Sequence, residues 1–453
     1  MQILSRIGLD RPELRAWAMY DWAISALQTT VMVAVFPIYF VKVAGAGIAE
    51  SGATQRLATA NTIAMVIIAV LAPLLGAFAD YAALKKRMLG IFMGIGATAT
   101  ACMFFVERGD IMLASVLFIV ALMGAAASMA FYESLLPHIA RPQEVDRVSS
   151  AGYALGYAGG GVLLALNLAW ILKPEWFGLP SGDGLTDSQA TLPTRLAFLS
   201  VAVWWVLFAI PLFRKVPEPA RTLEPDERQG ENPMKVAFTR LGETFHELRG
   251  YRNAFLMLIA FMIYNDGIAT IQKMATAYGT ELGIDQSALI SAILIVQFVG
   301  IPFAFLFGVL AGRIGAKRAI FLGLLAYGGI SILGYFMQSA MHFYILAGMV
   351  GMVQGGTQAL SRSLFASMIP KHKSGEFFGF YSVFEKFAGI LGPLLFWAAI
   401  ETTGSSRNAI LSVIAFFIIG GVILSFVNVE QGQLAARETE RNLRAPDSGS
   451  VQV

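Results

Sequence analysis

The chain has 453 residues, 56% of them hydrophobic and 14% charged, with a net charge of +3 and a mean hydropathy of +0.64. Soluble domains carry about 25% charged residues, so this composition excludes an ordinary soluble domain and places the chain in a membrane. A single cysteine, Cys102, excludes an internal disulfide and a cysteine metal site, and the four histidines (His138, His246, His342, His372) show no metal-binding spacing.

The first fifteen residues are polar, and the apolar run that follows is too long for a cleaved leader, so the first span is expected to serve as its own insertion signal. A bilayer core takes ~20 apolar residues per helix. By that measure twelve spans are predicted, near 16–42, 57–79, 88–106, 110–136, 148–172, 195–213, 253–275, 286–311, 319–338, 341–369, 377–400 and 408–428. The polar segment 214–251, with its KVPEPARTLEPDERQGENP, reads as a linker between two six-span halves, 1–213 and 252–429. The tail 430–453, ending APDSGSVQV, is expected to be disordered. Placing both termini in the cytoplasm puts twenty-four lysines and arginines on that side against seven on the other, the bias that orients a multi-pass protein of the plasma (inner) membrane.

The halves echo each other in four places. GAFADYAALKKR (76–87) matches GVLAGRIGAKR (308–318), and SLLP (134–137) matches SMIP (367–370). YALGYAGGG (153–161) matches YSVFEKFAG (381–389), and MYDW (19–22) matches IYNDG (263–267). The first pair resembles the signature loop of the major facilitator superfamily, a glycine and an acid followed by basic residues in a tight turn. The first copy keeps Gly76, Asp80 and the basic run Lys85 to Arg87; the second keeps Gly308, Arg313, Lys317 and Arg318 but has Gly312 in place of the acid. A gate built from Gly76, Asp80, Lys85, Arg87, Glu133, Arg313 and Arg318 is therefore expected, with any latch made by Asp80 one-sided.

YDWAISALQTTVMVAVFPIYF (20–40), YNDG (264–267), GGTQALSRSLFASMIP (355–370) and EFFGFYSVFEKFAGILGPLLF (376–396) resemble the family of the yeast vacuolar amino-acid effluxer and its bacterial relatives. Ile24 and Glu385 depart from that family's usual asparagine and small residue. The resemblance implies an all-α integral membrane protein of twelve helices in two pseudo-repeats, with a solute cavity lined by the first, fourth, seventh and tenth helices.

An ionised side chain in hydrocarbon needs a partner or a function, so the polar residues inside spans are the candidates. At 1.5 Å rise per residue Asp266 lies ~16 Å deep, with Asn265 beside it and Lys273 seven positions on along the same face. It either meets solute or a proton, or bonds a helix broken at Gly267. Asp21 is shallower, ~7.5 Å in, a depth that suits a gate or coupling residue as well as a structural bond. Gln354, Gln358 and Arg362 recur every four residues and form one stripe. Arg362 either grips a carboxylate of the solute or neutralises Asp266 or Glu385. Glu385 and Lys386 point in different directions and are not expected to pair; Lys386 is expected to reach Asp21, and Glu133 a loop base such as Arg141 or Arg87. Gly152, Gly156 and Gly160 read as a close-packing stripe.

No GxxxxGK[ST] motif is present, so nothing points to ATP-driven transport. The expectation is a secondary active transporter, not an enzyme, with no cofactor and no metal, moving a small amino-acid-like solute outward by alternating access with protons as a coupling partner. Its expected partners are that solute and the lipid bilayer, with no nucleic acid and a monomeric state. The alternatives are a multidrug or organic-ion efflux antiporter and an integral-membrane lipid-processing enzyme.

Overall fold

The computed structural model describes residues 2–222, 232–247, 250–281, 283–284, 286–388, 391–403 and 406–444, and all its regular structure is helical among those residues. Ten helices there are long and apolar enough to cross a membrane. The first six are Pro12–Ala44, Glu50–Ala82, Lys85–Phe105, Ile111–Ile139, Val145–Leu172 and Asp187–Lys215. The seventh to ninth spans lie in Arg252–Glu281, Gln286–Ile314 and Ala316–Tyr335, and the twelfth is Arg407–Ser425. The tenth, Ala340–Ala366, carries the Gln354, Gln358 and Arg362 stripe and is less apolar. The eleventh is interrupted: Ser374–Phe387 ends where Ala388 turns extended (ψ 130°), and a second helix runs over Leu391–Thr403. Together these make twelve spans.

The sequence repeat is a structural repeat. The turn between the second and third spans puts Ala83 at φ +52°, and the matching turn between the eighth and ninth puts Gly315 at φ +86°. Glycine adopts that region freely, whereas alanine holds it at some cost, and in both turns it stops one helix and aims the next. The basic residues that follow then do the same work in each half. Lys86 Nζ donates to the carbonyl of Phe213 (3.2 Å) and also reaches that of Val216, at the end of the sixth span. Lys317 Nζ donates to the carbonyls of Ser425 (2.9 Å) and Val427 (2.8 Å), at the end of the twelfth. A cation on the last carbonyls of a helix satisfies its orphan acceptors and its dipole.

The halves meet along two related seams, the second span against the first part of the eleventh and the fifth against the eighth and tenth. Both seams depend on small residues. A Cβ on Gly76 would stand 2.1 Å from the Gly375 carbonyl oxygen, and one on Gly308 would stand 2.7 Å from the Ser150 Cβ. Gly152, Gly156 and Gly160 line the fifth span where it packs on the first, against Asp21, Ser25 and Thr29.

Two polar segments fold further than the sequence suggests. Within the linker, Pro233–Glu247 is helical and lies on the second span, and the Arg221 and Arg240 guanidinium groups stand 4.2 and 5.8 Å from the Tyr81 ring. The tail, expected to be disordered from Glu430, forms the helix Val429–Arg444. It docks because its polar side chains find partners: Gln433 bonds Ser367, Glu440 accepts from the Lys371 amide, and Thr439 meets the Tyr251 hydroxyl.

Candidate functional site

The charged residues inside the spans gather where the halves meet, toward the terminal end of the bundle, where the first span begins and the twelfth ends. Arg362, on the tenth span, has no exposed surface, and Asp21 on the first and Glu133 on the fourth are 4% and 3% exposed. Asp21 Oδ2 accepts from both terminal nitrogens of Arg362 (3.2 and 3.3 Å) and from the Tyr132 hydroxyl (2.7 Å). Arg362 Nε donates to the Ser149 hydroxyl and a terminal nitrogen to the Ser149 carbonyl, each at 2.9 Å. Rings box the guanidinium in, with centroids of Tyr153, Trp17 and Tyr132 at 4.5, 4.9 and 5.7 Å. Desolvated cation–π contacts of this kind favour arginine over lysine.

This geometry corrects three expected pairings. Asp21 is held by Arg362, not Lys386. Glu133 lies 3.7 Å from Arg362, not on a loop base. Lys386 pairs with its neighbour Glu385 at 3.0 Å, because both sit in the last turn before the break at Ala388, where long side chains can fold toward each other. Arg362 therefore faces neither Asp266 nor Glu385 but the first half's Asp21, which it neutralises, with Glu133 at the edge of ion-pair range. Serine and tyrosine partners were missed for the same reason: Ser149, Tyr132 and Tyr153 carry no charge pattern, and only the adjacency of Tyr132 to Glu133 hinted at them.

A second cross-half contact lies closer to the terminal end. Both Asp80 oxygens accept backbone N–H groups at the start of the eleventh span, Gly375 at 3.1 Å and Glu376 at 2.9 Å. Lys85 Nζ pairs with Asp80 at 2.6 Å and donates to the Ser374 hydroxyl at 2.6 Å. His138 Nε2 approaches both Lys85 (2.9 Å) and Ser374 (3.1 Å). A carboxylate on a helix N-terminus meets orphan donors and the positive end of the dipole. Ser363 adds a bond to Asp146 at 2.6 Å on the other seam. Of the expected gate residues Gly76, Asp80, Lys85 and Glu133 lie in these contacts, whereas Arg87, Arg313 and Arg318 are exposed at the rim. At Gly312, where the second loop lacks its acid, a Cβ would only approach the Arg147 side chain.

The seventh span is continuous through Gly267. The broken helix is its neighbour: Asp266 Oδ1 accepts from the Gly392 N–H at 3.0 Å, at the start of the second part of the eleventh span. Asn265 Oδ1 accepts from the Gln358 amide at 3.3 Å, which joins the seventh span to the tenth, and Gln354 is partly buried one turn away. The side chain of Lys273 lies outside the described residues. No group of three or more metal-ligating side chains occurs among the described residues.

Comparison with known proteins follows the same lines. The family described as "Vacuole effluxer Atg22 like" matches residues 57–437. An uncharacterised transporter of the major facilitator type from Bacillus subtilis, YxiO, is 36% identical over 92% of this chain and 94% of its own length. Autophagy-related protein 22 of Yarrowia lipolytica is 27% identical over 65% of this chain; the match spans 52% of that longer protein. Among solved structures, the proton:xylose symporter XylE superposes with a TM-score of 0.68 at 14% identity, covering 95% of this chain and 98% of that one. The human organic anion transporter MFSD10 does so with 0.68 at 12%, covering 91% and 99%. FucP in its outward conformation gives 0.66 at 12%, covering 92% and 100%. At these identities the likeness is one of fold, and the fold is that of the major facilitators.

Proposed function

The chain belongs to the Atg22-like effluxer family within the major facilitator superfamily, and from that premise we propose that it exports a small amino-acid-like solute by alternating access, coupled to protons. A transporter of this family leaves no place for the lipid-processing alternative. The observation that carries the mechanism is the pair of cross-half contacts at one end, Arg362 on Asp21 and the eleventh span's N-terminus on Asp80. Each joins a residue of one half to a residue of the other, so each must break when the halves rock apart at that end. The lysine and arginine bias supports reading that end as cytoplasmic, with the chain in the plasma membrane and closed toward the inside.

The zwitterionic solute is supported by chemistry of both signs around the central helices. The half-buried Glu385 and Lys386 offer an anion and a cation side by side, and Asn265 and Gln358 offer amide donors and acceptors between the seventh and tenth spans. A ligand that binds the folded protein raises its melting temperature by mass action. The test is a thermal-stability screen of the purified chain with amino acids, sugars, cationic drugs and organic anions, followed by counterflow of the best stabiliser in proteoliposomes. Stabilisation and counterflow by amino acids support the reading. Stabilisation by cationic drugs alone moves it to organic-ion efflux, and no counterflow with any stabiliser overturns it.

A further inference from the structure

Three carboxylates and two cations meet at the seam between the halves, and one carboxylate is left over. Arg362 spends its donors on Ser149 and Asp21: Nε and one terminal nitrogen on Ser149, and both terminal nitrogens on Asp21 Oδ2. Glu133 Oε1 stands 3.7 Å from the same guanidinium, inside ion-pair range but beyond a hydrogen bond. The groups that face Glu133 come from every packed helix: Asp21 on the first, Tyr132 beside it on the fourth, Tyr153 on the fifth, Arg362 on the tenth, and Tyr381, Glu385 and Lys386 on the eleventh. Glu385 and Lys386 pair at 3.0 Å and cancel. Asp21 and Arg362 cancel in turn. With Glu133 ionised the buried cluster carries one net negative charge, and burying an uncompensated ion costs several kcal/mol even after relaxation.

We infer that Glu133 is the residue that takes up a proton as this end of the transporter closes and returns it to water as the end opens. Closure brings Arg362 from the second half onto Asp21 and shuts water out; the carboxylate of Glu133 takes a proton from water and the cluster becomes neutral. Opening carries Arg362 away with the second half, water reaches the first half's Asp21 and Glu133, and Glu133 releases its proton to that water. The same arrangement gives each residue a different share of the work: Asp21 holds the gate through its bonds to Arg362, and Glu133 makes holding it depend on pH. This rests on the alternating-access reading above, but its test reads the gate itself and needs no solute.

The experiment places spin labels at the terminal end, one in each half, through Gln143→Cys and Gln431→Cys in a Cys102→Ser background, since both glutamines are exposed. Pulsed electron spin resonance on the full chain in nanodiscs then follows the inter-label distance from pH 4 to pH 9. With one proton taken up on closing, the closed-to-open ratio rises up to about tenfold for each unit of pH fall on the titrating limb. Glu133→Gln should stay closed with a flat profile, and Glu133→Asp should keep the response with a moved midpoint, which separates loss of the proton site from loss of fold. Glu385→Gln, which leaves Lys386 to balance Glu133, should move the midpoint to lower pH, and His138→Gln at the neighbouring latch should keep the wild-type slope. A wild-type distance that ignores pH, or a Glu133→Gln profile that matches wild type, overturns the inference. Failure of the transport reading itself would show in counterflow while this response persisted.

Discussion

Asp21 and Arg362 lie 341 positions apart in sequence, yet Oδ2 of one accepts two N–H groups of the other at 3.2 and 3.3 Å across the line between the halves. Removing one partner of a buried pair costs about 3–5 kcal/mol, because the other charge is left uncompensated. Here the penalty falls on the closed state, where the two meet, and it is reduced because Glu133, 3.7 Å from the same guanidinium, then serves as its counter-ion. Asp21→Asn is therefore expected to shift the population toward opening at the terminal end, measured as faster maleimide labelling of a cysteine buried in the seam. Adding Arg362→Gln should restore part of the closed population, since it removes the guanidinium that has lost its hydrogen-bonded carboxylate; a double variant as open as the sum of the singles would show that the two do not act as a pair.

Asp80 predicts a separable effect. Its two oxygens hold the Gly375 and Glu376 amides and its charge holds Lys85. Asp80→Asn keeps the shape, halves the acceptors and leaves the buried Lys85 without its counter-charge, and it should weaken the closed seam by about 3–5 kcal/mol, the cost of breaking a buried pair. Alanine at exposed Arg87, Arg313 or Arg318 should change melting temperature and labelling within the equivalent of about 0.5 kcal/mol. Equal effects from the rim arginines and Asp80 would return the gate to the whole basic loop.

Gly76 sets how closely the seam can shut. A methyl group there would stand 2.1 Å from a backbone oxygen, Gly375 O, which cannot rotate away as a side chain can. Gly76→Ala should force the second and eleventh spans apart, with a loss of about 1–3 kcal/mol for the closed state. Measured inter-label distances at the terminal end should lengthen even where the pH response persists. An unchanged distance would mean that the eleventh span absorbs the methyl group by bending at its break.

The repeat, the twelve spans and the identity of the charged residues near the seam were all legible in the sequence, because hydropathy and the paired loops record them directly. The paired loops put a basic run at the same turn in both halves, though which lysines cap the sixth and twelfth spans, Lys86 and Lys317, comes from the fold. Pairing was not legible. Asp21, Glu133, Glu385, Lys386 and Arg362 could each be placed on a helix and at a depth, but which of them face one another depends on helix rotation and on the angle between the halves. Local pattern fixes neither. The break at Ala388 was equally hidden: FAGILGPLLF (387–396) reads as one apolar run, and only the fold shows Asp266 bonded to the helix that restarts beyond it.

That bond makes the role of Asp266 testable. If the carboxylate serves the Gly392 amide, Asp266→Asn still presents an oxygen to it and should lower stability by about 1 kcal/mol or less. Asp266→Ala, which leaves the amide without this acceptor, should lower it by about 1–3 kcal/mol. Both variants should then keep gradient-driven accumulation of the solute found by the stability screen, in proportion to the folded protein recovered. The opposite pattern, an asparagine variant with a wild-type melting temperature that no longer accumulates solute, would assign the Asp266 charge to solute or proton binding. In that case the capping bond would be a way of aiming the carboxylate, and the eleventh span's break would be coupled to what Asp266 binds.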